Sequence, residues 1–141
     1  MTHYPKVATL AVVLHGNKVL LVKRRNEPDA GLWGFPGGHV NEGETVFDAA
    51  ARELLEETSV IGRPSRFLTN VDLIERSTDG SIRFHFLLVA VLCEFESGTQ
   101  VANDDVSEAK WWSSSEVLGG IPRCSEHVDE VVGIASGTSR S

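Results

Sequence analysis

Glu53, Glu56 and Glu57 stand at i, i+3 and i+4 in the run Ala49-Ala50-Ala51-Arg52-Glu53-Leu54-Leu55-Glu56-Glu57, which is made of strong helix formers. On a helix turning about 100° per residue the three carboxylates share one stripe. Like charges at that spacing repel, so the helix gains nothing from them. A stripe of this kind is ordinarily a solvated acidic face. Here, however, Gly37-Gly38 lies upstream in a loop whose backbone can approach a ligand closely. Hard divalent cations require oxygen ligands, and Mg²⁺ binds few carboxylates alongside water and substrate phosphates. A glutamate trio beside a glycine turn meets that requirement. Arg52 can orient a glutamate through a bidentate pair or contact phosphate. Its plainer role is a surface salt bridge to Asp48, four residues back.

The helix that must carry these groups runs from Thr45 to Thr58. Thr45 can cap it, Asp48 completes a capping-box-like pattern, and Phe47, Ala50, Ala51, Leu54 and Leu55 form the expected core face. Before it, Val7 to Leu14 and Lys18 to Arg25 read as strands joined in a hairpin at Gly16-Asn17. Asn26 to Gly38 reads as a loop, but one holding Trp33 and Phe35, so it packs against something. Beyond the helix, strands are expected over Phe67 to Arg76 and Arg83 to Phe95, separated by a turn at Thr78-Asp79-Gly80-Ser81. An acidic loop from Val101 to Lys110, the pair Trp111-Trp112, a helical turn near Ser115 to Val117 and an amphipathic helix over Ser125 to Ile134 complete the chain. One of the tryptophans is expected in the core. This order predicts an α/β (α+β) fold, a mixed β-sheet sandwiched between helices.

A length of 141 residues suits a single domain over 1–141. The hydrophobic share of 41% and charged share of 23% are those of a globular protein. Against 13 basic side chains stand 20 acidic ones, a formal charge of −7, which disfavours a nucleic-acid polymer as partner. A small anionic substrate would then need cations or local arginines to offset repulsion. No apolar run approaches the roughly 20 residues that span a bilayer, and no membrane partner is expected. Met1 to Lys6 lacks a signal-peptide layout, and Cys93 and Cys124 read as reduced thiols, so the expected location is cytoplasmic. The tail from Gly137 to Ser141 is expected to fray. His3, His15 and His127 show no partner pattern, and His39 reads as a turn residue within reach of a phosphate.

Gly38, Glu44 and the block Arg52-Glu53-Leu54-Leu55-Glu56-Glu57-Thr58-Ser59-Val60 together resemble the Nudix box, and Gly31-Leu32-Trp33-Gly34-Phe35-Pro36-Gly37-Gly38 looks like its usual lead-in. One position departs. The family usually has glycine where this chain has Ser59, and a left-handed C-cap there costs serine on the order of 1 kcal/mol. That bears on the helix exit, not on the carboxylates.

The resemblance implies a Nudix fold and metal-dependent hydrolysis of the pyrophosphate bond in a nucleoside diphosphate linked to another moiety. Asn26 to Gly31 looks like the ADP-ribose pyrophosphatase subgroup, so ADP-ribose is favoured. A MutT-like nucleoside triphosphate pyrophosphohydrolase is the alternative, and a non-catalytic nucleotide-sensing module a more distant one. The family implies Mg²⁺, or Mn²⁺ in its place, held by Glu53, Glu56, Glu57 and the Gly37 carbonyl. Glu53, Glu57, Arg52 and Glu44 form the implied catalytic set: Glu53 is a candidate to deprotonate water, and Glu44 and Arg52 orient the glutamates. A late loop is expected to add a carboxylate, with Asp104, Asp105 and Glu108 available and Glu108 favoured as a metal ligand. Gly38, Arg24, Arg83 and His85 are the candidates to bind the small nucleotide substrate, although the strand residues equally suit an ordinary sheet. A homodimer is left open.

Overall fold

A computed structural model describes residues 4–27 and 29–137. His3, Pro28 and the tail residues 138–141 lie outside the described residues. Strands β1 (Lys6–His15) and β2 (Lys18–Arg24) form the expected hairpin, with Gly16 at φ 63° in the turn. They pair only at Leu14↔Val19 and His15↔Lys18. Beyond that, β2 leaves β1 and the lead-in segment takes its place. Its two short strands, β3 (Trp33–Gly34) and β4 (Gly37–His39), pair with β2 and β1 respectively. The Ala11 amide donates to the Pro36 carbonyl between them (2.7 Å). Buried Trp33 and Phe35 fill the fork, which explains why so turn-rich a segment carries aromatics.

After helix α1 (Val46–Thr58) come β5 (Ile61–Arg76), β6 (Ile82–Ser97) and β7 (Val106–Ser113), then α2 (Ser114–Leu118) and α3 (Val128–Ser136). The sheet order is β3-β2-β1-β6-β5, with β4 also on β1 and β7 on β2. The β1–β6 pair is parallel and the others are antiparallel, so the sheet is mixed as expected. Alternation along β1 divides the core. Leu10 and Val12 face Val117 of α2 and Val128, Val131 and Val132 of α3. Ala11 and Val13 face Ala50 and Leu54 of α1. Trp112 packs on the first layer and Trp111 on the second; both are half-buried, so neither is the core tryptophan expected from the sequence.

Three boundaries and one helix face differ from the expectations drawn from the sequence. β5 begins at Ile61, not Phe67; it is an edge strand with register shifts on both sides of Pro64, and an edge tolerates a missing amide. β7 begins at Val106, inside the segment read as an acidic loop, because buried Val106 anchors it beside Arg24 while its acidic neighbours stay exposed. α3 begins at Val128, not Ser125: the Ser125 amide donates to the Trp33 carbonyl (2.9 Å), which pins that stretch to β3. The fourth difference concerns α1. Its buried residues are Ala49, Ala50, Leu54, Glu57 and Thr58, whereas Phe47 and Leu55 are 37% and 49% exposed. The helix is rolled so that Glu57 faces inward and two apolar residues face outward.

The ends of α1 follow the sequence closely. The Thr45 hydroxyl accepts from the Asp48 amide (3.0 Å). At the other end Ser59 adopts φ 64°, the left-handed conformation a glycine would take without strain. Thr58 supports this exit, donating to the Leu54 carbonyl (2.6 Å) and accepting from the Val60 amide (3.1 Å).

Candidate active site

The carboxylates of α1 meet the fork through two glycines. The Gly37 amide donates to Glu57 Oε1 at 3.1 Å. Glu57 is 7% exposed, and that burial pushes its carboxyl up to about 8, with the negative charges of Glu53 and Asp105 acting in the same direction. Burial also raises Glu53, against the opposing pull of Arg52. A solvated acidic face has neither property. Glu56, by contrast, is half-exposed on its side chain.

Arg52 does not pair with Asp48. Its Nε and Nη2 grip both oxygens of Glu44 (2.7 and 2.9 Å), while Nη1 donates to Glu53 Oε1 (2.7 Å) and Glu56 Oε1 (3.0 Å) and Nη2 also to the His39 carbonyl (3.0 Å). The hydrogen bonds from Arg52, joined by one from the Asn41 amide, hold Glu44 down at about 2. Arg52 itself is pushed above the ordinary arginine value. The guanidinium therefore sets the direction of Glu53 and Glu56 from a base anchored on Glu44.

Among the described residues no three acidic, histidine or cysteine side chains converge closely enough to enclose a cation as they stand. The donor set nevertheless fits one. Glu57 is a buried carboxylate whose neighbours Glu53 and Asp105 are also acidic, and Arg52 engages only Glu53 and Glu56 of the trio. A hard divalent ion would add to the positive charge of Arg24 and Arg52 at this corner, and the carboxylates are the oxygen donors it requires.

The two glycines differ in what they tolerate. A Cβ on Gly37 would fall on the Thr9 carbonyl in the β1–β4 ladder, whereas one on Gly38 would lie 2.6 Å from the Glu53 carboxylate, a movable end. Gly37→Ala should therefore cost about 2 kcal/mol or more of stability. Gly38→Ala should melt near the parent but displace Glu53 and lower turnover ~100-fold. Thermal melts and turnover on the two variants check both halves.

A cleft of about 170 Å³ adjoins the glycine turn; Gly37, Gly38, Arg24 and Asp105 line it, while Glu53, Glu56 and Glu57 stand behind the two glycines and do not. Leu88 and Phe86 of β6 contribute to its floor, and Phe35, Ser125 and His127 to its lining. Of the residues expected to bind substrate, Arg24 and Gly38 line the cleft, whereas Arg83 and His85 do not. Side chains alternate along β6, so with Phe86 and Leu88 in the cleft His85 points to the other face. Arg83 is the extra residue at the register shift between the Arg76↔Ile82 and Glu75↔Phe84 pairs; it pairs with Glu75 (3.4 Å) and does not line the cleft. Of the late carboxylates, Asp105 lines the cleft, while Glu108, the favoured one, lies on β7 opposite Lys23 and pairs with it (3.6 Å). Phe35, Phe86, Ser125 and His127 were not among the sequence candidates. Phe86 could have been found by following the period of two, but nothing in the sequence marks His127, which burial drives toward the neutral imidazole.

The family model for the NUDIX domain matches residues 4–130. The chain belongs to the NUDIX family. Its relatives include an ADP-ribose pyrophosphatase of Methanocaldococcus jannaschii, 31% identical over 92% of this chain and 72% of that protein. Phosphatase NudJ of Escherichia coli K12 is 34% identical over 78% of this chain and 70% of that one. Among solved structures, the NUDIX domain of Shewanella oneidensis NrtR complexed with ADP ribose superposes with a TM-score of 0.77 at 27% identity, covering 97% of this chain and 90% of that one. The fold is therefore the NUDIX fold, and the family is generally dependent on divalent metal ions. Among the described residues no helix is long and apolar enough to cross a membrane.

Proposed function

We propose that this NUDIX protein hydrolyses the pyrophosphate bond of a nucleoside diphosphate linked to another moiety, with ADP-ribose as the favoured substrate and Mg²⁺, or Mn²⁺, as its metal. The observation that carries the reading is Glu57: a nearly buried carboxylate beside acidic neighbours, held on the amide of the glycine turn. A fold would not retain that arrangement for stability. The named activity of the M. jannaschii relative and the ADP ribose bound to the S. oneidensis domain support the choice of substrate. The span of the family match supports a single domain over residues 1–141. The free thiols Cys93 and Cys124 suit a cytoplasmic location.

In this reading Glu53, Glu56 and Glu57, with the Gly37 carbonyl, hold the cation. When bound, a divalent ion would offset the charge of the diphosphate and lower the pKa of water. The chain's own groups do the rest. Arg52, braced on Glu44, fixes the rotamers of Glu53 and Glu56. Glu53, whose carboxyl burial raises above the ordinary glutamate value, accepts the proton as water attacks phosphorus. The bridging P–O bond then breaks, releasing AMP and ribose phosphate from ADP-ribose. Asp105, in the cleft with Gly37 and Gly38, adds negative charge beside Glu53 and Glu57, in place of Glu108. Arg24 and Gly38 meet the phosphates, while Phe35, Phe86 and His127 offer an apolar shelf with a neutral hydrogen-bonding ring for the base.

A substrate panel with Mg²⁺ or Mn²⁺ tests this. ADP-ribose should yield AMP and ribose phosphate at the highest kcat/KM of the panel. Release of pyrophosphate from nucleoside triphosphates, with ADP-ribose untouched, would give the MutT-like alternative instead.

A further inference from the structure

The chain leaves α1 through Ser59, and eight residues beyond β6 the loop that ends at Asp105 returns to the same point. Three contacts stitch the loop to the helix end. The Val101 amide donates to the Thr58 carbonyl (2.8 Å), and the Asn103 amide to the carbonyl of Glu57 itself (2.9 Å). The Asn103 side chain then donates from Nδ2 to the Ser59 hydroxyl (2.9 Å). At the loop's start Gly98, at φ 104°, lies so close to the Ser59 backbone that a Cβ would come within 2.7 Å of the Ser59 carbonyl oxygen. Helix C-terminal carbonyls need partners, and here the loop supplies them.

We propose that Ser59 and Asn103 form a latch that fixes the Asp105 loop on the end of α1, making both of them positioning residues for the hydrolytic site. The inference rests on the proposed function for its catalytic consequence, but the latch stands on its own contacts. Two residues beyond Asn103, Asp105 reaches the cleft and acts on Glu53 and Glu57. Asp104, at φ 53°, turns the chain between them. The Val106 amide also donates to the Asn103 carbonyl (3.2 Å), so the residue gripping Ser59 organises the turn that aims Asp105. Serine at position 59 therefore exchanges backbone ease for a side-chain grip. A glycine would take φ 64° without strain but has no hydroxyl to offer.

This predicts opposite signs for stability and activity in one variant. Ser59→Gly should melt ~3 °C higher because the left-handed strain is relieved. It should also exchange the Val101 and Asn103 amides faster, and turn over ADP-ribose about fivefold more slowly with KM little changed. Asn103→Ala should show the same loss of kcat, and Ser59→Ala combined with Asn103→Ala no more than either alone. Ser59→Asn tolerates the left-handed conformation and restores an acceptor, so it should recover parent kcat and exchange. Parent-like exchange and kcat in Ser59→Gly, or losses that simply add in the double variant, would overturn the latch. If the parent protein hydrolysed nothing in the panel, the functional reading alone would fall, and amide exchange would still decide the latch.

Discussion

Glu57→Gln should lower turnover of ADP-ribose about a thousandfold while the protein still folds. The carboxylate is nearly isosteric with the amide, and glutamine Oε1 can still accept from the Gly37 amide, so the fork keeps its hydrogen bond. What disappears is the negative charge that Glu57 would present to a cation held at this corner. Glu53→Gln should fall by a similar factor for a second reason: it removes the proton acceptor while leaving an oxygen for Arg52 Nη1. Steady-state kinetics on both variants, with circular dichroism to confirm the fold, give the comparison. Turnover within tenfold of the parent in both would remove these carboxylates from the reaction.

The same carboxylate should make the metal-free protein lose stability as pH rises from about 5 to about 8. Glu57 titrates at about 8 in the folded chain against 4.5 for an unperturbed glutamate, mainly because it is desolvated. Between those values the folded state keeps a proton that the unfolded state has released. Stability therefore declines through that window and levels above it, with a limiting slope of ~1.4 kcal/mol per pH unit. Glu53, raised in the same direction by burial, adds to the decline. A divalent cation competes with the proton, so Mg²⁺ should raise the melting temperature more at pH 8 than at pH 5. Glu57→Gln should flatten the metal-free profile and weaken the response to Mg²⁺. Melting curves in chelator and in Mg²⁺ across this range decide it, and a flat metal-free profile in the parent would count against a buried Glu57.

Local features were readable from the residues. Thr45 capping α1, the hairpin at Gly16 and the glutamate stripe all depend on near neighbours, and the structure contains each of them. What could not be read was set by packing at a distance. The parting of β1 and β2 after two pairs lets residues 33–39 pair into the gap with Trp33 and Phe35 in the α3-side core, and no local pattern announces it. α1 is rolled as well, with Glu57 inside on the Gly37 amide and Phe47 and Leu55 outside, against their hydropathy. Asp104, Asp105 and Glu108 are equivalent as acidic residues in a row. Only the start of β7 at Val106 separates the one in the cleft from the one on a strand beside Lys23. From the sequence Ser59 bears only on the helix exit, because its partner Asn103 lies 44 residues away.

A cation at the junction of α1 and the glycine turn is what the proposed hydrolysis requires, and anomalous scattering from crystals soaked in Mn²⁺ with a non-hydrolysable ADP-ribose analogue measures that directly. A peak at about 2.1 Å from oxygens of Glu53 and Glu57, and touching the Gly37 carbonyl and the diphosphate, is the predicted result. Density for the analogue with manganese bound elsewhere, and with Glu57 still held on the Gly37 amide alone, would contradict it.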